Sequence, residues 1–294
     1  MDSFTYQFSS DWLQARFHAD AQARNLEIQA AALALVEHTE NPVLVDLGAG
    51  AGANFGHLLP HLSQPTLTYY WVDQDLALKE AAADFLTQGI YPQGKILAND
   101  PQHLIIQTPT QRIEIKWCPG DILELARLLD LRTVNLVTAN AVFDLFSQDQ
   151  FRTLAQLLSA HQVPLYCSIN YQRMHFEHPS AGDATYFQAY DAHMQRPKSW
   201  GSSMGPTCVT HMPDIWGEFE GGAVRRGRRA GRLNASEAAM IEHLYGFMAD
   251  SIPEMLNPDQ DGFQTWWENS KRDLLSDQRT LFVEHQDFLL SWSC

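Results

Sequence analysis

The run VLVDLGAGAGANF, residues 43–55, constrains this chain more than any other stretch. Val43 to Leu47 form the short, nearly continuous apolar run of a strand buried on both faces. Three glycines, Gly48, Gly50 and Gly52, follow at alternate positions, and a helix-compatible segment takes over after them. A backbone that turns from strand into helix and comes close to a ligand needs positions without a Cβ. In a sheet of this kind a nucleotide-type ligand lies across the carboxyl ends of the strands, where strand order reverses. Asp46, two residues before the first glycine, is placed to accept hydrogen bonds from the loop or from a cationic ligand group.

The rest of the chain repeats the same rhythm. Tyr69 to Asp73 (YYWVD) reads as a second strand, Arg112 to Trp117 (RIEIKW) as a third, Val134 to Ala139 (VNLVTA) as a fourth and Val163 to Ile169 (VPLYCSI) as a fifth. Helical patterns lie between them, notably at 76–87 and 148–160. Such alternation with short connections predicts an α/β fold, a Rossmann-like and mostly parallel sheet covered on both faces. Residues 11–38, rich in Ala, Leu and Gln, predict one or two helices ending before Asn41-Pro42. The stretch 170–215 breaks the rhythm and is dense in Tyr, His, Trp, Met, Gly and Pro. Beyond it, 222–233 predicts a strand, 235–251 and 263–275 helices, and LFVEHQDFLLSW a closing strand. One domain results, with an N-terminal helical cap (1–40), a core (41–170), an inserted lid (171–215) and a C-terminal completion of the sheet (216–294).

Composition bounds the function. Over 294 residues, 45% are hydrophobic and 19% charged, which permits a sizeable core and excludes disorder. No apolar run reaches the roughly 20 residues that span a bilayer. The first residues lack the basic and apolar regions of a signal peptide, so a cytoplasmic location is expected. The four cysteines, Cys118, Cys167, Cys208 and Cys294, are widely spaced with no C-x-x-C, which fits reduced thiols and argues against a zinc site; no metal is expected. Twenty basic against 35 acidic residues give a net charge of −15, which argues against a nucleic-acid partner. The local exception is GGAVRRGRRAGRL, with arginines at 225, 226, 228, 229 and 232. That cluster reads either as a solvated edge strand, protected by charge from self-pairing, or as an anion-docking patch.

Asp73 closes the second strand 21 residues past Gly52, where a carboxylate can accept both hydroxyl protons of a ribose. Asp121, in PGDILEL after the third strand, is placed to accept from an adenine amino group. With these residues in view, the D-L-G-A-G-A-G run, the acid ending strand two, the G-D-I after strand three and the N-L-V-T-A-N segment together resemble the motifs of class I S-adenosylmethionine-dependent methyltransferases, over about residues 40–170. The resemblance implies a seven-stranded sheet whose last strand is antiparallel, with S-adenosyl-L-methionine over the glycine loop. By position it implies Asp46, Gly48, Gly50 and Gly52, with Ala49 and Asn54, around the methionine moiety. Asp73 and Gln74 would meet the ribose, Asp121 and Ile122 the adenine, and Asn140 would face the methyl-transfer centre. Arg16, on the cap, reaches back over the cofactor. Gly48-x-Gly50-x-x-Ala53 also fits the nicotinamide or flavin fingerprint. Asp46 ahead of the loop, glycine at 52 and the acid at 121 weigh against that alternative.

Methyl transfer from a sulfonium is an in-line displacement, so the protein mainly positions and desolvates. Tyr171, Tyr186, Tyr190, Trp200 and Trp216 in and beside the lid offer aromatic faces to the sulfonium. Asp144, one helical turn past Asn140, is a candidate to orient or deprotonate an acceptor, and equally an N-terminal helix acid. His175, with His178 three residues on, and His193 are further catalytic candidates from the lid. The acidic balance and aromatic cover favour a small-molecule acceptor. The alternatives are an RNA or protein methyltransferase that docks its substrate on Arg225–Arg232, and a binding protein that holds the cofactor without turnover. Oligomeric state and acceptor atom are not written in the sequence.

Overall fold

The computed structural model describes residues 10–75, 78, 82, 86, 94–100, 102–198, 201–256 and 262–293. Among them nine strands form one sheet. These are β1 (Val43–Leu47), β2 (Thr66–Asp73), β3 (Lys95–Asn99), β4 (His103–Gln107), β5 (Arg112–Pro119), β6 (Leu136–Asn140), β7 (Leu165–Phe176), β10 (Gly222–Leu233) and β11 (Leu281–Trp292). A separate hairpin pairs β8 (Pro197–Lys198) with β9 (Gly201–Ser202). The helices are α1 (Ser10–Ala15), α2 (Phe17–Ala23), α3 (Leu26–Ala34), α4 (Ala53–Leu58), α5 (Leu125–Leu128), α6 (Gln148–His161), α7 (Asp183–Met194), α8 (Cys208–Gly217), α9 (Ala238–Met255) and α10 (Phe263–Leu275).

Strand order across the large sheet is β10-β11-β7-β6-β1-β2-β5-β4-β3. The pairs β5·β2, β2·β1, β1·β6 and β6·β7 are parallel, whereas β11 runs antiparallel to both β7 and β10. The reversal of order falls at β1, so the loops leaving β1 and β6 diverge and open a crevice at their carboxyl ends. The seven expected strands are all present. The sheet is larger than expected by the antiparallel hairpin β3–β4 on its β5 edge.

Both faces of the central strands are dry. Leu154 and Leu158 of α6 and Met212, Ile215 and Trp216 of α8 pack with Val45, Leu47 and Val137 on one face. Ile28, Ala32 and Leu33 of α3 and Phe55 and Leu58 of α4 pack with Leu44, Tyr69, Trp71 and Leu136 on the other. This two-sided burial explains why β1 reads as an unbroken apolar run. A third cluster joins Trp12 and Ala19 of the cap to Phe176, Val283 and helices α7, α9 and α10.

Several boundaries differ from expectation. The cap is three short helices, because the chain turns at Arg16 and again at Arg24 and Asn25, where the Asn25 side chain accepts from Ile28 N at 3.1 Å. The fifth strand does not stop at 169 but continues to Phe176 past an irregularity at Ile169 (φ 57°), whose amide is held by Asp287. The inserted lid is therefore not one cover: its first residues belong to the sheet, and its last helix, α8, is a core helix. Residues 141–147 form turns, so Asp144 is not one helical turn beyond Asn140; α6 begins only after Ser147, which caps it with Gln150 in a capping box. The helix expected at 76–87 lies outside the described residues apart from Leu78, Ala82 and Leu86, and so do Trp200 and Cys294.

Candidate functional site

Above the carboxyl ends of β1, β2, β5 and β6 lies a cleft of about 530 Å³. The glycine loop forms its inner wall. Gly48 N and Ala49 N donate to Val72 O at 2.8 and 3.3 Å, and Gly50 N donates to Asp73 Oδ2 at 2.8 Å, which ties the loop to the end of β2. Gly48 and Gly50 are left-handed (φ 65° and 53°), a conformation costly for other residues. A Cβ on Gly48 would lie 2.9 Å from Val142 Cγ2, and one on Gly50 would lie 3.0 Å from Leu13 Cδ1, so side chains there would fill the cradle. Gly52 is also left-handed (φ 85°), but it serves packing: a Cβ would run into the Trp71 indole, which leaves it outside the cleft lining.

Asp73 accepts from Gly50 N and, through Oδ1, from Asp75 N at 2.8 Å. With Gln74 as a further backbone donor, the carboxylate keeps acceptor capacity for a ligand hydroxyl. Burial pushes its carboxyl above the usual range, against the backbone donors. Asp121 stands exposed at the rim, its Oδ1 accepting from Leu123 N at 2.9 Å, and this cap fixes the turn that presents Ile122 and Leu123 to the cleft.

A buried polar network forms the floor. Asp46 is fully buried; its Oδ1 accepts from Asn54 Nδ2 at 2.6 Å and Thr138 Oγ1 at 2.9 Å, and no described group donates to Oδ2. Burial drives its pKa up to about 7, despite both donors and the nearby Arg24 charge. Arg24, 2% exposed, extends one Nη2 to Asn54 Oδ1 (2.8 Å) and Asn140 Oδ1 (2.9 Å). Asn140 also accepts from Ser168 Oγ at 2.9 Å and donates Nδ2 to Asp20 Oδ2 at 3.1 Å. Asp20 in turn pairs with Arg16, Nε to Oδ2 at 3.0 Å, and the Arg16 guanidinium lies 5.3 Å from the Trp12 ring centroid. The cap is thus wired to the floor through Trp12, Arg16, Asp20 and Arg24, four residues apart each time. Below this stripe His57 stacks on Phe17 with centroids 4.0 Å apart, and burial, then the Arg24 charge, holds its imidazole neutral with a pKa of about 2.

The opposite end of the cleft is built from turn 141–147 and the β8–β9 hairpin. Three successive carbonyls, of Asp144, Leu145 and Phe146, accept from Gly205 N (2.8 Å), Ser203 Oγ (2.8 Å) and Met204 N (2.6 Å). This latch carries Lys198 to the cleft wall, where its Nζ donates to Ser203 Oγ at 2.6 Å.

Ten of the expected cofactor residues, Arg16, Gly48, Ala49, Gly50, Asn54, Asp73, Gln74, Asp121, Ile122 and Asn140, line this one cleft. Asp46 and Gly52 support it from behind. The catalytic candidates are placed elsewhere. Asp144 does not line the cleft, although Val142, Leu145 and Phe146 of its turn do; its Oδ1 is buried without a hydrogen-bond partner among the described residues, and burial raises its pKa against the charges of Arg16 and Lys198. His175 is in β7 rather than in a loop, stacked on Phe282 and 3.5 Å from Glu284. His193 lies on α7, its Nε2 3.3 Å from Glu254, and burial lowers its pKa. Of the lid aromatics, Tyr186 packs on Trp266 and Trp216 stacks on Trp292, while the aromatics that line the cleft are Trp12 of the cap and Phe146. Sequence reading missed Arg24, Asp20, Trp12 and Lys198. The four-residue spacing in the cap was a usable signal for the first three; Lys198 had none.

The arginines at 225–232 lie on β10, the outer edge of the sheet, and all five are exposed. None lines the cleft. Among the described residues, Cys118, Cys167 and Cys208 are free, no group of three acidic, histidine or cysteine residues could hold a metal, and no helix is long and apolar enough to cross a membrane.

No protein-family model matches the sequence, and no curated protein matches it. Solved structures do. The YcgJ protein from Bacillus subtilis superposes with a TM-score of 0.50 at 11% identity, covering 92% of this chain and 99% of its own. The cyclopropane synthase MmaA2 from Mycobacterium tuberculosis gives 0.46 at 12% identity, covering 97% and 94%. A geranyl diphosphate C-methyltransferase from Streptomyces coelicolor A3(2) gives 0.40 at 10%, covering 90% and 77%. The chain has the class I methyltransferase fold.

Proposed function

We propose that the protein is an S-adenosylmethionine-dependent methyltransferase acting on a small molecule. The observation that carries this reading is the convergence, in one cleft, of left-handed Gly48 and Gly50 with Asp73 and Asp121 at successive strand ends. The residues fit the cofactor: a backbone cradle that a Cβ would fill, a ribose acceptor already oriented by Gly50 N and Asp75 N, and a second acid at the far rim. A dinucleotide-binding sheet continues in parallel past its fifth strand. Here antiparallel β11 enters between β7 and β10, which favours the methyltransferase reading over a nicotinamide enzyme.

When bound, S-adenosylmethionine would supply an electrophilic methyl group to an acceptor lone pair, its thioether sulfur being the leaving group that keeps the C–S electron pair. The protein's own contribution is position and dryness. Arg24 and Asp20 fix the Asn140 amide at the centre of the cleft, and Trp12 and Leu13 of the cap exclude water above the glycine loop. Asp144 is absent from the cleft lining, which favours a positioning role over direct contact with the acceptor. The arginine strand lies apart from the cleft lining, which favours an acceptor that enters the cleft over a polyanion docked on β10.

Calorimetric titration tests the reading. S-adenosylhomocysteine should bind, NADH should not, and Asp73→Ala should weaken S-adenosylhomocysteine by about tenfold or more. Preference for NADH, or unchanged affinity in Asp73→Ala, overturns it.

A further inference from the structure

We propose that β10 is a docking edge for an acidic, extended polypeptide segment, which adds a strand to the sheet and sets its carboxylates against Arg225, Arg226, Arg228, Arg229 and Arg232. The inference stands apart from the methyltransferase reading, because none of these five residues lines the cleft. With 35 acidic residues against 20 basic ones, a surface arginine in this chain readily finds a carboxylate. Every arginine outside β10, other than Arg24 and Arg112, lies within ion-pair distance of one. None of the five on β10 does so among the described residues. The acids set across from the strand are committed elsewhere. Glu284, opposite Ala230, pairs with Arg173 at 2.6 Å and lies 3.5 Å from His175. Asp287, opposite Gly227, is buried and accepts from Ile169 N and Asn25 N. The five guanidinium groups therefore repel one another without internal relief, and their planar donors match a carboxylate.

The edge itself is open. β10 pairs with β11 in unbroken register over 12 residues, and no described strand lies on its other side. Alternate residues of such an edge turn their N–H and C=O groups outward. The cap does not close it. A Cβ on Gly227 would run into the Asn25 amide, and one on Gly231 would lie 3.3 Å from Ala23 Cβ, so α2 and the start of α3 lie over one face of the strand rather than beside it. Two cap contacts reach the strand's polar groups: Asn25 Nδ2 donates to Arg228 O and Arg229 Nε to Gln22 O, both at 3.4 Å. Arg225 and Arg229 share the face that carries Gly227, whereas Arg226, Arg228 and Arg232 alternate to the other.

This division between two faces selects the occupant. A strand added in the plane of the sheet projects its own alternate side chains to both faces, and so brings carboxylates to both sets of arginines at cross-strand distance. A second copy that paired β10 with β10 would set arginine against arginine, which like charge opposes. A single-stranded nucleic acid would gain phosphate contacts but no stacking surface, since β10 carries no aromatic residue. A bilayer would meet Val224 as the one exposed large apolar side chain of the strand, too little for insertion.

Fluorescence anisotropy on the full chain at low salt provides the test, with labelled peptides of about ten residues, the length of a long strand. A peptide of alternating Glu and Thr should bind and slow amide hydrogen exchange in β10. Its Glu-Pro counterpart has the same charge, but proline removes alternate donors and opposes strand pairing, so it should bind about tenfold more weakly. Replacing all five arginines by Gln should weaken the Glu-Thr peptide by about tenfold or more. Replacing them by Lys should cost less, and high salt should release the peptide. Absence of Glu-Thr binding, equal binding of the Glu-Pro peptide, tighter binding of an oligouridine of equal charge or of phosphatidylserine vesicles, or binding that survives in the Gln variant overturns the proposal. If circular dichroism shows that the Gln variant does not fold, Arg226→Gln combined with Arg228→Gln decides: a loss of about threefold is expected, and unchanged affinity overturns the proposal equally.

Discussion

The two ends of the cleft are made of different material. At the proposed cofactor end, the wall consists of peptide groups and short side chains at the ends of the parallel strands: Gly48 to Gly50 after β1, Asp73 closing β2, Asp121 after β5 and Asn140 closing β6. At the acceptor end, the wall is assembled from three segments far apart in sequence, the cap near Trp12, the turn 141–147 and the hairpin bearing Lys198. The first end inherits its geometry from the sheet, whose core holds it rigid. The second depends on latches, single hydrogen bonds that join one loop to another. Ligand specificity can therefore change at the acceptor end without disturbing the sheet that holds the cofactor.

If that contrast is right, the most damaging change lies under the glycine loop. Gly52→Val puts a β-branched side chain in a left-handed position and against the Trp71 indole; it should cost about 3 kcal/mol or more in urea unfolding and abolish S-adenosylhomocysteine binding. A near-normal unfolding midpoint would show that the loop is far more plastic than its packing indicates. Arg24→Met comes next. It leaves Asn54 and Asn140 without their shared donor inside the floor and should cost about 2–4 kcal/mol, with cofactor affinity falling in parallel. Loss of neither would mean that the cap is not coupled to the floor through this guanidinium.

A third test uses pH. Between pH 5 and 7 an unfolded aspartate is ionised, whereas buried Asp46, with its pKa pushed up to about 7, still holds a proton. The folded state binds the extra proton, so this residue makes stability fall as pH rises through that window. Asp46→Asn lacks the effect and can still accept from Thr138 Oγ1. Relative to wild type its stability should therefore improve from pH 5 to pH 7, by as much as about 2–3 kcal/mol. A difference independent of pH would place the proton elsewhere in the network. Ser203→Ala, at the acceptor end, should cost only about 1 kcal/mol and spare cofactor affinity, because its hydroxyl serves the hairpin alone. The smallest effect is expected on the edge strand, where replacing Arg225, Arg226, Arg228 and Arg229 by Gln should change cofactor affinity less than about twofold, as exposed charges contribute little. A large loss there would tie the edge strand to the site.

The same contrast explains what was legible in the sequence. Glycine spacing and strand-end acids are local signals, set by residues a few positions apart, and they point to residues that line one cleft, with Asp73 closing β2 and Asp121 following β5. The C-terminal elements were legible for a similar reason: the alternation in 222–233 and the apolar run of 281–292 each mark a strand within one segment. Asp144 was misread because the turn before α6 carries no Gly or Pro to mark it, so helical spacing was assumed. His175 is expected in the inserted lid, but strand pairing with Phe282, more than a hundred residues away, holds it in β7. The place of Lys198 on the cleft wall could not be found locally, because it depends on hydrogen bonds from residues 203–205 to the carbonyls of 144–146, far earlier in the chain. The β3–β4 hairpin was missed because HLIIQ is a short run with no flanking helix to frame it.

Asp287 carries a further consequence, for the order of assembly. Its two oxygens accept from Ile169 N and from Asn25 N, each at 2.8 Å, so one carboxyl in the closing strand fastens both the bend in β7 and the start of α3. The cap segment that delivers Arg16, Asp20 and Arg24 leaves the ribosome well before the strand that carries its anchor. During synthesis, the glycine loop and its acids can be in place before the cap gains its anchor on Asp287. Completion of the cleft therefore waits on β11, and a nascent chain halted before Asp287 should carry the parallel strands without β10 docked and without the carboxyl that fastens the start of α3.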